Sequence, residues 1–271
     1  MAVLHVEQWG AGPPLLAIHG VTGHARRWER LATEAWPHRR TIAVDLRGHG
    51  RSTWMPPWST EQMVIDVLDT MDAVGLADAA IVGNSYGATV GLHLLAAAPE
   101  RVRGIAALDP ALLQAPEALV GAAEAMIAED GWATRHDAAV ARNVPGADGI
   151  HPAVDAELDQ HLEQGADGRF RFRHSRPAAI TIFGELARPV PPIAIARPVL
   201  VLAAERPRIV TPPVSAALRG GLGDLYEEVA LDCGHLLYWE RFAETAALVE
   251  AFLQGIDDTA ATGQSSVVFP S

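Results

Sequence analysis

Compact apolar runs alternate with stretches of helical periodicity at both ends of the chain. Residues 15–18, 41–44, 79–82, 103–108, 198–203 and 226–231 are each rich in Val, Ile, Leu or Ala and are bounded by turn residues, a pattern expected for buried strands. Ser59 with Gln62 three positions on marks a helix start. Met63, Val67, Met71 and Val74 follow at helical spacing, and Gly75 stops the helix. A helix of small residues is predicted from 86 to 98, ending at Pro99, and a last helix carries Phe242, Val249 and Phe252. Strand–helix alternation predicts an α/β fold built on a mostly parallel sheet flanked by helices. Between 111 and 190 the rhythm changes to several helices broken by Gly and Pro, with no buried strand in view. The expected organisation is a core formed by 1–110 and 191–256, a helical cap insertion at 111–190, and a flexible C-terminal tail at 257–271.

Composition narrows the function class. The chain has 271 residues, 49% of them hydrophobic and 20% charged, which is ordinary for a globular protein. A net charge of −12 argues against nucleic acid as a partner, because phosphates reward clustered cations. No lysine occurs, and all 21 basic residues are Arg. The single cysteine, Cys233, excludes an internal disulfide and a Cys-based metal site. No apolar run is long enough to cross a bilayer, and the first residues do not have the pattern of a signal peptide. A cytoplasmic monomer or homodimer is expected, without metal, cofactor or membrane insertion.

The strongest chemical signal is Gly83-Asn84-Ser85-Tyr86-Gly87, placed between a predicted strand and a predicted helix. A serine at so sharp a turn needs small residues two positions to either side. It is lifted clear of the sheet at a helix N-terminus, where negative charge is favoured. Upstream, His19-Gly20-Val21-Thr22-Gly23 also follows a strand. Its backbone can face the serine, which makes the N–H groups of Val21 and Tyr86 the candidate oxyanion hole. Of eleven histidines, His235 follows the last strand and fits the chain order for a base; apart from His19 and His49, which are read as structural or pocket-lining, the others are expected at the surface or in the cap. His19 and His49 sit in turns near the same edge.

These motifs, with Asp45-Leu46-Arg47-Gly48-His49-Gly50-Arg51-Ser52, resemble the α/β-hydrolase superfamily, in the branch of small esterases with a helical cap. The resemblance covers nearly all of 1–256. It implies that the 45–52 turn is structural and shapes the active-site entrance. One departure concerns the acid: where the family usually has Asp in the turn after the penultimate strand, this chain has Pro207. Some members carry the acid at the end of the strand before the cap, which here is Asp109. Glu205 is the alternative acid, and Asp232 a third. Asp109 before Pro110 also suits a helix N-cap.

A serine nucleophile sets this chain apart from the Asp-dependent epoxide hydrolases and haloalkane dehalogenases and fits acyl transfer. The expected function is hydrolysis of small to medium apolar carboxylic esters through an acyl-enzyme on Ser85, with His235 as base and Asp109 as acid. The alternatives are carbon–carbon bond hydrolysis of a dienoate or β-diketone, and a catalytically impaired binding protein. His19, Trp54 and Trp58 are expected to line the substrate pocket. The Arg/Phe alternation at 169–173 reads as an amphipathic cap segment, and Cys233 as a small buried residue.

Overall fold

The computed structural model describes residues 2–144, 147–206 and 208–262. β1 (Val6–Trp9), β2 (Pro14–Ile18) and β3 (Arg40–Val44) precede α1 (Thr60–Ala73). β4 (Ala79–Asn84), α2 (Tyr86–Ala97) and β5 (Val102–Leu108) follow. The chain then leaves the sheet through α3 (Pro116–Ala128), α4 (Arg135–Arg142), α5 (Pro152–His161), β6 (Leu162–Gln164), β7 (Phe170–Phe172) and α6 (Arg176–Glu185). It returns with β8 (Val199–Ala204), α7 (Pro212–Leu222), β9 (Tyr226–Leu231), α8 (Leu237–Glu240) and α9 (Phe242–Thr262).

Seven strands form one sheet in the order β1-β3-β2-β4-β5-β8-β9, parallel except for β1, which runs antiparallel to β3. Central strands read as continuous apolar runs because helices cover both faces. The two-residue side-chain period divides β2 accordingly. Leu16 and Ile18 join a cluster with Met63, Val67 and Met71 of α1, while Leu15 and Ala17 join Trp28, Trp36, Val249 and Phe252 on the other face. Burying each such side chain contributes about 1.5–3 kcal/mol. Because β3 and β4 flank β2 on opposite sides, the strand order reverses there. The crevice beyond the carboxyl ends of β2 and β4 is therefore where this architecture forms ligand sites. His19-Gly20 and Ser85 lie at those two ends.

Ser59 caps α1 by accepting a hydrogen bond from the Gln62 N–H at 3.3 Å. The reciprocal half of the expected capping box is not made, since the Gln62 amide donates to Asp66 instead.

Three elements differ from the sequence expectation. β1 has four residues at the sheet edge, half-buried and without an apolar run, so its pattern carried no strand signal. The inserted segment contains the antiparallel hairpin β6–β7 besides its helices. There the Arg/Phe alternation is a strand period: Phe172 is buried, while Arg171 pairs with Asp167 on the outer face. The tail does not begin at 257, because α9 continues through Thr262. Ile256 packs against Gly104, and Asp257 accepts a 2.7 Å hydrogen bond from the buried Arg39. The rest of the expected tail, 263–271, lies outside the described residues, as does Pro207.

Candidate active site

Ser85 has φ 56° and ψ −122°, a conformation L-residues rarely adopt, at the tip between β4 and α2. The surroundings hold it there. The Ser85 N–H donates to the Leu108 carbonyl at 2.9 Å, and its carbonyl accepts from Ala88 at 3.1 Å. Small neighbours make the turn feasible. A Cβ on Gly87 would lie 2.1 Å from the Ile18 carbonyl oxygen, and one on Gly20 would lie 2.8 Å from the Ser85 Cβ.

Asp109 also has a positive φ, 47°, at the end of β5. Its N–H donates to the Leu202 carbonyl at 2.7 Å. The carboxylate is fully buried. Oδ1 accepts from the Ala204 N–H at 3.1 Å, and Oδ2 lies 2.6 Å from Nδ1 of His235. A carboxylate can only accept, so the proton of this contact sits on Nδ1, and the neutral ring in this tautomer has its lone pair on Nε2. Glu205 and Asp232 are exposed, and neither contacts His235. The structure thus brings His235 to Asp109 rather than to either alternative.

Ser85 and His235 are joined less directly. Among the described residues the Ser85 hydroxyl makes no hydrogen bond, to His235 or to any other group. What links them is Asn84, a residue the motif did not single out. Its side-chain amide donates to the Leu108 carbonyl at 3.0 Å and to the His235 carbonyl at 3.3 Å. Asn84 therefore clamps the His235 loop to the strand end that carries Ser85.

Gly20 and Gly23 close a turn through a 3.0 Å backbone hydrogen bond. Val21, inside that turn, gives its N–H to no backbone acceptor among the described residues, and Tyr86, first in α2, has no intrahelical acceptor. Both candidate oxyanion donors are thus unengaged.

The expected pocket residues need correction. His19 is fully buried: Nε2 accepts from the Leu46 N–H at 2.9 Å and Nδ1 lies 2.7 Å from the Gly20 carbonyl, so its ring braces the loop and lines no pocket. Trp54 is 43% exposed, donates to the Gly50 carbonyl, and borders a surface cleft with Phe172 and His174 that includes neither Ser85 nor His235. Trp58 packs against the core with its indole N–H buried and unpartnered. The 45–52 turn is structural, as the resemblance implied. The Asp45 carboxylate accepts from the Ala25 and Arg51 N–H groups, and Arg47 forks onto Asp66 at 2.6 and 2.8 Å. Cys233 is buried, which pushes its thiol up to about 11 and leaves it poorly suited to nucleophilic work.

His161 and His174 lie in the inserted segment as expected, and with His24, His19 and His49 they form a buried ladder across the seam between sheet and insertion. Ring centroids are 4.9 Å apart for His19–His49, 6.2 Å for His49–His174, 6.3 Å for His174–His161 and 4.3 Å for His161–His24. Backbone pairing runs alongside, with Gly50 donating to Arg173 and Ser175 to Gly48. Burial pulls His19 and His161 well below the ordinary imidazole value, His49 to about 4 and His174 to about 2. Groups held neutral in the fold but free to protonate when unfolded leave stability intact above pH 6.5 and erode it below. Stability measured by urea denaturation is expected to fall as pH drops from 6.5 to 4, with His49 alone costing on the order of 3 kcal/mol. A flat profile across that range would contradict the neutrality of His19, His49, His161 and His174.

With this geometry in hand, the chain can be set beside known proteins. Residues 13–242 match the family model of the α/β hydrolase fold. The chain belongs to the α/β-hydrolase family. It is 35% identical over 255 residues to Lipase LipV of Mycobacterium tuberculosis, a match spanning 92% of this chain and 97% of that protein. Among solved structures it is similar to E-2-(acetamidomethylene)succinate hydrolase, with TM-score 0.80 and 22% identity over 94% of this chain and 98% of the other. A marine microorganism esterase superimposes with TM-score 0.77 and 20% identity, covering 93% of this chain and all of that one. At that identity the two structures speak to the fold alone. Family membership and the lipase relative support hydrolase activity. Among the described residues, no helix is long and apolar enough to cross a membrane.

Proposed function

We propose that this α/β hydrolase cleaves carboxylic esters of small to medium apolar substrates through an acyl-enzyme on Ser85. The observation that carries this reading is the 2.6 Å contact from His235 Nδ1 to the buried Asp109 carboxylate, reached from the loop that Asn84 clamps to the serine strand. With Nδ1 protonated, Nε2 takes the hydroxyl proton as the Ser85 oxygen attacks the ester carbonyl. Asp109 stabilises the imidazolium that results. The Val21 and Tyr86 N–H groups receive the oxyanion, an interaction typically worth about 3 kcal/mol per donor. His235 then protonates the leaving alkoxide, and water activated by the same imidazole releases the acid. The 35% identity to a protein named a lipase supports ester chemistry over carbon–carbon cleavage.

The direct test is treatment with a fluorophosphonate, followed by intact-mass measurement and peptide mapping. A single adduct on Ser85 is expected. No adduct on folded protein would return the chain to the binding-protein alternative. An adduct at another residue would displace Ser85 as nucleophile.

A further inference from the structure

Arg142, the last residue of α4, reaches out of the inserted segment to the loop beside the nucleophile, where its Nη1 donates to the Thr22 hydroxyl at 3.1 Å. Thr22 directly follows Val21, and Gly20 of the same turn packs on Ser85. The guanidinium lies 4.1 Å from the Phe172 ring, which holds it flat without supplying a counter-charge.

The charges around it do not balance. Glu157 is the buried carboxylate of the seam, and Arg27 and His24 already occupy it: Arg27 Nε at 2.9 Å with Nη2 closer still, and His24 Nε2 at 2.8 Å. Burial opposes ionisation of Glu157, but these partners outweigh it and keep the carboxylate charged. Arg142 comes only to 3.9 Å of Glu157, and this is its sole ion pair among the described residues. Its Nε is buried without a partner. Glu129 acts on it through space without forming an ion pair, and burial favours the neutral acid there. His161 and His174 are neutral. Two guanidinium groups therefore share one committed carboxylate and leave a surplus positive charge beside the oxyanion loop. Burial lowers Arg142 to about 10, so it remains a cation at neutral pH. The side chain is 21% exposed, so a solute can reach it.

Nη2 of this under-paired guanidinium makes no hydrogen bond among the described residues and, unlike Nε, is not buried, which leaves an accessible edge able to receive a planar anion. We propose that Arg142 binds a carboxylate on the substrate, making the preferred class esters that carry a free carboxylate a short carbon spacer from the scissile carbonyl. This rests on the ester-hydrolase reading above for its site, and it replaces the apolar substrate class of that reading with an anionic one.

The test compares monoethyl glutarate with ethyl 5-oxohexanoate, which replaces the carboxylate by a methyl ketone. In the parent protein kcat/KM is expected to favour the anionic ester. Arg142→Gln is expected to lower that anionic-to-neutral ratio about 10- to 100-fold, chiefly through KM, the size of a lost charge-assisted contact. Thr22→Ala, which removes the tether but not the charge, is expected to preserve the ratio. A parallel loss on both esters in Arg142→Gln, or a parent with no anionic preference, would reduce Arg142 to a structural tether and overturn the proposal.

A second measurement does not need turnover. Glutarate titrated into Ser85→Ala protein by calorimetry is expected to bind, and binding is expected to vanish when Arg142→Gln is added. Should neither ester turn over and Ser85 resist the fluorophosphonate while glutarate binding still depends on Arg142, the hydrolase reading fails and the anion site stands. If glutarate binds equally with and without Arg142, or not at all, the anion site is refuted. Arg142→Lys, which keeps the charge but loses the fork, supplies the comparison if the Gln variant does not fold.

Discussion

Ser85→Ala is expected to lower kcat on a short p-nitrophenyl ester by about a millionfold and to abolish fluorophosphonate labelling. The magnitude follows from the covalent step: without the hydroxyl no acyl-enzyme forms, and only binding and the oxyanion donors remain to assist water. Stability should change little, because the Ser85 backbone bonds to Leu108 and Ala88 persist and the hydroxyl makes no hydrogen bond among the described residues. Loss of activity with an unchanged unfolding midpoint would therefore separate chemistry from folding. Substantial retained turnover would move the nucleophile elsewhere.

Asp109→Asn should cost about ten-thousandfold in turnover while keeping the site's shape. An amide can still accept from Ala204 through one oxygen, but the group facing His235 becomes a donor or an uncharged acceptor. If the NH2 faces the ring, Nδ1 must accept and the proton shifts to Nε2, which then has no lone pair for the serine proton. If the oxygen faces it, the imidazolium loses its counter-charge. Glu205→Gln, by contrast, should change turnover less than twofold, since Glu205 is exposed and apart from His235. Kinetics of the two variants side by side decide the acid: a collapse in Glu205→Gln with Asp109→Asn near normal would reverse the choice.

Strands β2 to β5 and β8 were legible because each is a buried apolar run ended by a turn residue, and burial on both faces produces that signal; β9, at the sheet edge and mostly half-buried, showed only in its Val-Ala-Leu end. The Gly-Asn-Ser-Tyr-Gly turn was legible for a related reason. Its glycines stand where a Cβ would strike backbone atoms of Ile18 or Ala88, so the geometry is written in residue type. β1 and the β6–β7 hairpin lack that signal, being short and half-exposed, although the Arg/Phe alternation at 169–173 is a strand period open to recognition. The Arg27–Glu157 pair and the His49–His174 and His24–His161 contacts of the ladder join residues more than a hundred positions apart, and no local pattern announces them. His19 was misplaced for the same reason. Its position beside the nucleophile was readable, but the bond from Leu46 that locks its ring inward was not.

Two of the strained residues, Ser85 and Asp109, are each bonded through their own N–H to a neighbouring parallel strand, at Leu108 and Leu202. The candidate nucleophile and acid thus share the rigidity of the sheet centre. His235 stands instead on a loop beyond β9, held by Asn84 on one side and by the Glu240 carboxylate, which accepts from the Gly234 N–H at 2.9 Å, on the other. Of the three groups, only His235 stands off the strands. If Ser85 and His235 act together as proposed, the gap between them would close by a swing of one ring about the Asp109 carboxylate, and a loop would set its cost while the sheet stands still.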